Sequence, residues 1–224
     1  MLAVMPDPND LFEIIRTTRA MRRLKPDPVP DELIHKILEA GLCAANGGNR
    51  QSWRFLVVKD PEIKKAVQVL YQRAFDEVVG PRSLKSNPPP GSTKERYRRQ
   101  HAATTYLTEH FHEAPVWIVA CMEESGNPSR WSGASIYPAV QNMLLTCRAL
   151  GLGSTLTTRH LLYEKETEAA LRLPPGVHSY AILPIGYPMG NFGPVRRGPP
   201  EQFVFLDHWG SPYPVAAAQS QETS

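Results

Sequence analysis

Apolar positions along the chain switch between helical and extended spacing without a regular strand–helix–strand rhythm. Asp10 with Glu13 three residues later marks a helix start, and Leu11, Ile14, Ile15 and Thr18 follow at helical spacing. Pro26, Pro28 and Pro30 force an extended link. A second helix opens at 30–32, with Leu33, Ile34, Ile37, Leu38 and Leu42 on its predicted buried face. Residues 53–58 read as a buried strand ended by Lys59-Asp60-Pro61, and residues 62–79 as a helix carrying Ile63, Val67, Leu70, Ala74 and Val78. The pattern dissolves over 80–91, and a polar helix is predicted over 93–113. The continuous apolar run 116–122 predicts a central strand. A long apolar helix over 134–150 follows, with Ile136, Val140, Met143, Leu144 and Cys147 as its core face. Gly151-Leu152-Gly153 stops it. A short strand at 154–158, a small helix at 163–171 and a last main strand at 180–186 complete the body.

Proline and glycine dominate beyond residue 186 until Phe203-Val204-Phe205, read as a short strand at the end of a long arm. The mixture of helices and strands predicts an α+β fold in a single domain over 1–224. Within it, residues 75–112 form an insertion or lid, 187–210 an arm and 211–224 a flexible tail. A lone strand so far beyond its predecessor suits pairing with a second subunit. No internal repeat is present.

Composition changes this picture little. The 22 prolines are about twice the usual share and mark extended connections. The 25 basic and 22 acidic residues leave a net charge of +3, too small to argue for nucleic acid. Cys43, Cys121 and Cys147 form no close pair, which suits a reducing compartment rather than a disulfide framework. Met1-Leu2-Ala3-Val4-Met5-Pro6-Asp7 lacks the features of a signal peptide. No run is long enough to span a bilayer, so a cytoplasmic protein without membrane partners is expected.

Three segments carry candidate chemistry. Arg19, Arg22, Arg23 and Lys25 crowd the end of the first predicted helix, where residues three apart share a face. Guanidinium forks match phosphate oxygens, although a basic helix end favoured by the dipole reads equally from this segment alone. Ala44-Ala45-Asn46-Gly47-Gly48-Asn49-Arg50-Gln51-Ser52-Trp53 is an amide-rich loop running into a strand. Its amides both donate and accept, as the edge of a polar heterocycle requires. A simple turn into the strand is the alternative. Gly151-Leu152-Gly153-Ser154-Thr155-Leu156 is not a dinucleotide fingerprint, because it follows a helix and lacks the third glycine. His110 and His112 have no third ligand at metal spacing, and no nucleophile elbow, P-loop or zinc cluster occurs, so no metal is expected. A chain without catalytic side chains of its own points to a borrowed cofactor.

In order and spacing these segments resemble the FMN-dependent nitroreductase family over roughly residues 11–210. Its anchors here are 19–30, 46–53, Gln141-Asn142, 151–159, Ile185-Gly186-Tyr187-Pro188 and Arg196-Arg197. The resemblance implies a central mixed or antiparallel sheet flanked by helices, in a homodimer with a swapped C-terminal arm and two interfacial FMN sites. By that likeness Arg19, Ala20 and Arg22 with Arg196 and Arg197 hold the phosphate from one subunit. Ala45, Asn46, Gly47 and Asn49 come from the other, Gln141 on the long helix is a further cofactor contact, and Leu156 lies in the segment that runs alongside the ring. A backbone N–H near Thr157 or Thr158 points at flavin N5. Tyr97, Phe111, Trp131 and Tyr137 are the implied substrate contacts.

Three positions depart from the family pattern: Ala45-Asn46 replaces Pro-Ser, Ser52 replaces the Pro before Trp53, and Thr18 replaces an Arg. The family's deiodinase branch spaces a Glu and a Tyr four apart in its lid, whereas Glu95 and Tyr97 are two apart here. The implied activity is NAD(P)H oxidation with ping-pong hydride transfer through flavin N5 to flat, electron-poor acceptors such as nitroaromatics or quinones. A flavin carrier or sensor without turnover, or a reductive dehalogenase-like branch, are the alternatives.

Overall fold

The computed structural model describes residues 10–88 and 92–214. The N-terminal lead, Pro89 and Pro90 of the proline cluster, and residues 215–224 of the tail lie outside it.

The first helix, α1 (Leu11–Thr17), is capped by Asp10, whose side chain accepts the Glu13 N–H. It ends two residues before Arg19, the first cation of the cationic segment. Thr18 is already extended (φ −68°, ψ 118°), so Arg19 and Arg22 do not share a helical face as the spacing suggested. The chain from 18 to 30 is irregular and leads into α2 (Asp31–Leu42). Ile34, Ile37 and Gly41 are buried on α2, whereas Leu42, expected inside, is 52% exposed at the helix end. Gly41 takes the inner position because Met143 packs against it, only 2.2 Å from where a Cβ would stand.

Strand β1 (Trp53–Val58) begins and ends where the sequence places it. Helix α3 (Pro61–Ala74) runs through a π-helical turn at Phe75–Val79 into α4 (Gly80–Lys85). Pro81 sits in the first turn of α4, where its missing N–H costs nothing, so the predicted breakdown at Gly80 is a helix restart instead. Helix α5 (Lys94–Glu109) is capped by Thr93, and β2 (Val116–Glu123) follows. Helix α6 (Arg130–Ala149) starts earlier than its apolar pattern, because Ser129 caps it by accepting the Ser132 N–H. Gly151 adopts φ +73°, the left-handed conformation that ends the helix. Strand β3 (Gly153–Ser154), α7 (Glu164–Ala170) and β4 (Val177–Gly186) close the body.

The four strands form one antiparallel sheet in the order β1-β2-β4-β3. β2 is central and all but its last residue are buried. One face packs Ile118 and Ala120 against Ile34, Ile37, Val140 and Met143 of α2 and α6. The opposite face packs Trp117, Val119 and Cys121 against Val67, Tyr71, Leu107 and Phe111. Cys121 and Cys147 are buried core residues, and burial pushes both thiols up to about 12. Cys43 is exposed.

Beyond β4 the arm first turns back along its own chain. Lys25 N–H donates to the Tyr187 carbonyl, Met189 N–H to Arg23 and Val195 N–H to Arg16, with a bridge between Leu24 and Pro188. Phe203–Phe205 do not form a strand. A 3-10 turn at Pro200–Gln202 precedes them, and Phe205 makes only an isolated bridge to Pro212. Aromatic and β-branched residues favour a strand only where a neighbouring edge supplies hydrogen bonds. Among the described helices none is long and apolar enough to cross a membrane.

Candidate functional site

The segment after α1 is held extended by the sheet edge, where Met21 N–H donates to the Ser154 carbonyl. Gly153 permits this approach. A Cβ there would lie 2.8 Å from Leu24 Cδ2, 3.0 Å from Met21 Cβ and 3.2 Å from Pro188 Cβ. With Leu24 and Met21 anchored inward, Arg19, Ala20 and Arg22 open into a cavity of about 540 Å³. This is within the roughly 300–1,000 Å³ typical of small-molecule pockets. Gln141, Leu144 and Arg148 of α6 form one wall. Ser154, Thr155 and Leu156 form another, and Phe192, Val195 and Arg197 of the arm form the third.

Four guanidinium groups therefore line the cavity, and no carboxylate does. None of the four forms an ion pair with a carboxylate among the described residues. Burial holds Arg22 below the ordinary guanidinium range. The nearby Tyr71 partly opposes that shift, and the Arg19 charge adds to it. Positive charge kept out of water without a counter-charge is costly, so this arrangement suits an anionic ligand.

The predicted residues divide clearly. Arg19, Ala20, Arg22, Gln141, Leu156 and Arg197 meet at the cavity. Arg196 does not: it is exposed, and its carbonyl accepts from Arg197 Nη1. Arg23 lies over the Tyr106 ring, 4.6 Å from its centroid. Asn142, the neighbour of Gln141, is structural and donates to the Ala40 carbonyl.

Thr157 is not a free backbone donor. Its N–H donates to the Ile182 carbonyl, and its own carbonyl accepts the Ile182 N–H. Its side chain is bound as well, 2.9 Å from the Tyr71 hydroxyl. Leu156 and Thr158 flank this bridge and alternate outward, both exposed. Of the two positions expected to supply a donor, only Thr158 remains. Its N–H has no backbone partner among the described residues.

The amide-rich loop stands apart from the cavity and lines no part of it. Gly47–Asn49 form a 3-10 turn, with left-handed φ at Gly48 (+59°) and Asn49 (+52°). Asn46 Oδ1 accepts the Gln51 N–H at 3.0 Å, and Gly47 N–H donates to Ser135 Oγ on α6 at 3.1 Å. Ala45 is exposed beside them. The loop is pre-shaped and presents amide edges outward, but within one chain it does not meet the cations.

The substrate residues fare unevenly. Phe111 is fully buried, stacked on Tyr71 at 4.1 Å and on Trp117 at 4.2 Å, so it is core and cannot touch a substrate. Tyr97 donates to the Ser83 carbonyl at 3.0 Å and ties α5 to α4. Trp131 is 88% exposed on α6. Tyr137 donates to the Tyr180 carbonyl and lines a second, more open groove of about 690 Å³ with Pro128, Pro138 and Tyr180.

Sequence reasoning missed Arg148. A cation near a helix C-terminus reads as a dipole partner, yet Gln141, Leu144 and Arg148 fall at i, i+3 and i+7, on one face. It also missed Arg159, whose guanidinium lies 4.2 Å above Tyr71 and donates to Thr108 Oγ1. One mixed set of metal-capable atoms, from Glu164, Glu168 and His178, converges within 4.8 Å. His178 Nδ1 lies 3.6 Å from Glu168, and Glu168 accepts the Ser179 N–H, so the set reads as a structural link between α7 and β4.

Comparison with known proteins agrees with this anatomy. The profile of the nitroreductase family matches residues 15–187. An NADH dehydrogenase of Thermus thermophilus is 30% identical over 205 residues, covering 83% of this chain and 90% of that protein. An iodotyrosine deiodinase of Thermotoga neapolitana is 29% identical, covering 80% and 88%. The crystal structure of an oxidized iodotyrosine deiodinase bound to FMN and 3-iodo-L-tyrosine superposes with a TM-score of 0.67 at 25% identity, covering 84% of this chain and 95% of that one. The antiparallel sheet between two helical layers, the cationic segment entering it and the extended sequence match place this chain in the nitroreductase family.

Proposed function

We propose that the protein is an FMN-dependent NAD(P)H oxidoreductase that reduces flat, electron-poor acceptors such as nitroaromatics or quinones. The observation that carries this reading is the cavity with four guanidinium groups and no carboxylate, one of them desolvated without a counter-charge. Such a donor set fits a phosphate monoester, which carries about −1.5 to −2 charges near neutral pH. Arg19, Arg22 and Arg197 would hold that phosphate, with Ala20 allowing close approach and Gln141 and Leu156 bordering the remainder of the ligand. Held there, FMN would supply the redox chemistry, hydride transfer between the nicotinamide and the acceptor.

The chain's own part is binding, orientation and exclusion of water. Thr157, fixed to Ile182 and to Tyr71, sets the position of Leu156 at the cavity and of the Thr158 backbone that follows. Phe192 and Val195 form an apolar border on the arm side. A homodimer completes the site, the partner subunit's amide-rich loop supplying the ring-edge contacts that this chain's own loop is too remote to make. Exposed Leu11, Phe12 and Ile15 on α1 give such a dimer apolar surface to cover. Residues 75–112 act as a cover, and Trp131 and Tyr137 border the acceptor. The outer arm reaches the second subunit beyond the segment paired with 16–25.

The deiodinase relatives favour a second reading, a reductive dehalogenase-like branch. Against it, Glu95 and Tyr97 stand two apart rather than four, and Tyr97 donates to the Ser83 carbonyl. Steady-state oxidation of NADH and NADPH with a quinone, a nitroaromatic and 3-iodotyrosine separates the readings. Turnover with the first two and parallel double-reciprocal lines support the oxidoreductase. Turnover of iodotyrosine alone supports the dehalogenase, and bound flavin without turnover supports a carrier or sensor.

A further inference from the structure

Arg148 is the one cavity cation that joins three parts of the fold. It projects from α6, its Nε donates to Thr17 Oγ1 at the end of α1 (2.9 Å), and its guanidinium lies 4.4 Å above the Phe192 ring of the arm. These contacts use Nε and one face of the plane. They leave the two Nη groups for the cavity that Arg148 lines with Arg19, Arg22 and Arg197. No carboxylate among the described residues neutralises it. The stack on Phe192 and the bond to Thr17 fix the plane before any ligand arrives, so little rotamer freedom remains to be lost on binding. A long surface arginine serving only as a helix C-terminal charge has neither restraint.

We infer that Arg148 is a fourth anion-binding group of this cavity and that its preset fork makes the site selective for the phosphorylated form of its ligand. The inference deepens the flavin reading and rests on it for the identity of the ligand, though not for the anion site. The other three cations come from irregular chain, Arg19 and Arg22 from the segment after α1 and Arg197 from the arm. Arg148 adds a fourth from the helical wall of α6 and links phosphate binding to the position of the arm through Phe192.

The test compares FMN with riboflavin, which shares the ring but lacks the phosphate. Flavin fluorescence titrations of the apoprotein give both affinities for wild type, Arg148→Met and Arg148→Lys. Met keeps the unbranched stem and removes the donors, whereas Lys keeps the charge and loses the fork. The expected result is a roughly 10- to 100-fold loss of FMN affinity in Arg148→Met, in keeping with one charge-assisted hydrogen bond. Riboflavin affinity stays within about twofold, and Arg148→Lys recovers part of the difference. Equal weakening toward both flavins, or unchanged FMN affinity, overturns the inference and leaves Arg148 a packing residue. Thermal shifts with inorganic pyrophosphate test the anion site separately. If wild type binds neither flavin, the flavin reading fails. A pyrophosphate shift lost in Arg148→Met still supports Arg148, and no shift in wild type overturns it.

Discussion

Arg22 shows how a single residue trades stability for binding. Its charge is held partly out of water with no carboxylate beside it, and burial is the first cause of its lowered pKa. Arg22→Met is therefore expected to weaken FMN binding by roughly tenfold or more, while the ligand-free protein melts no lower than wild type. Fluorescence titration and apoprotein melting, measured together, check this. A large loss of apoprotein stability would mean that the guanidinium is structural.

His160 carries a different cost. It is fully buried, neither ring nitrogen has a hydrogen-bond partner among the described residues, and burial lowers its pKa to about 4 from the model-peptide value of 6.5. The unfolded chain takes up a proton near pH 6.5 and the folded chain only near pH 4, so stability is full above pH 6.5 and falls as the pH drops through that window. The linked loss is at most about 3 kcal/mol. Chemical denaturation at pH 7 and pH 4.5 should show it, and His160→Leu should flatten this component.

At the scale of elements, the elements with strong local signals are the ones the sequence makes legible. Trp53–Val58 is bounded by a polar loop and by Lys59-Asp60-Pro61, and it forms over those same residues. The glycines at 151 and 153 end a helix and admit a close-packed edge, and neither opens a phosphate loop. What was not legible depended on contacts from elsewhere in the chain. Phe111 lies at the end of a polar helix, and only the stacking of Tyr71 and Trp117 makes it core. Arg19 and Arg22 converge because Met21 is tied to Ser154, a pairing that helical spacing does not contain. Gly153→Ala tests the importance of that edge. Its methyl would press on Met21, Leu24 and Pro188, and about 1–3 kcal/mol of destabilisation is expected by denaturant unfolding. A neutral result would mean that the cationic segment is not seated by β3.

At the scale of the whole molecule, one chain separates the two halves that the proposed site requires. The cations gather at the cavity, and the amide-rich loop is bound to the far part of α6 through Ser135. If the site forms between subunits, an Arg22→Met, Arg197→Met double variant and an Asn46→Ala variant should complement each other. Each homodimer would bind FMN poorly. Mixed dimers would recover one intact site, so equimolar reassociation should restore flavin to a fraction of the sites. No recovery after verified subunit exchange would place both halves within one chain. The central claim is tested most directly by the visible spectrum of the purified protein, reconstituted with FMN, before and after anaerobic addition of NADH or NADPH. The account predicts bound flavin that bleaches with at least one nucleotide and regains colour on adding a quinone. A protein that takes up no FMN, or whose flavin stays oxidised with both nucleotides, would contradict it.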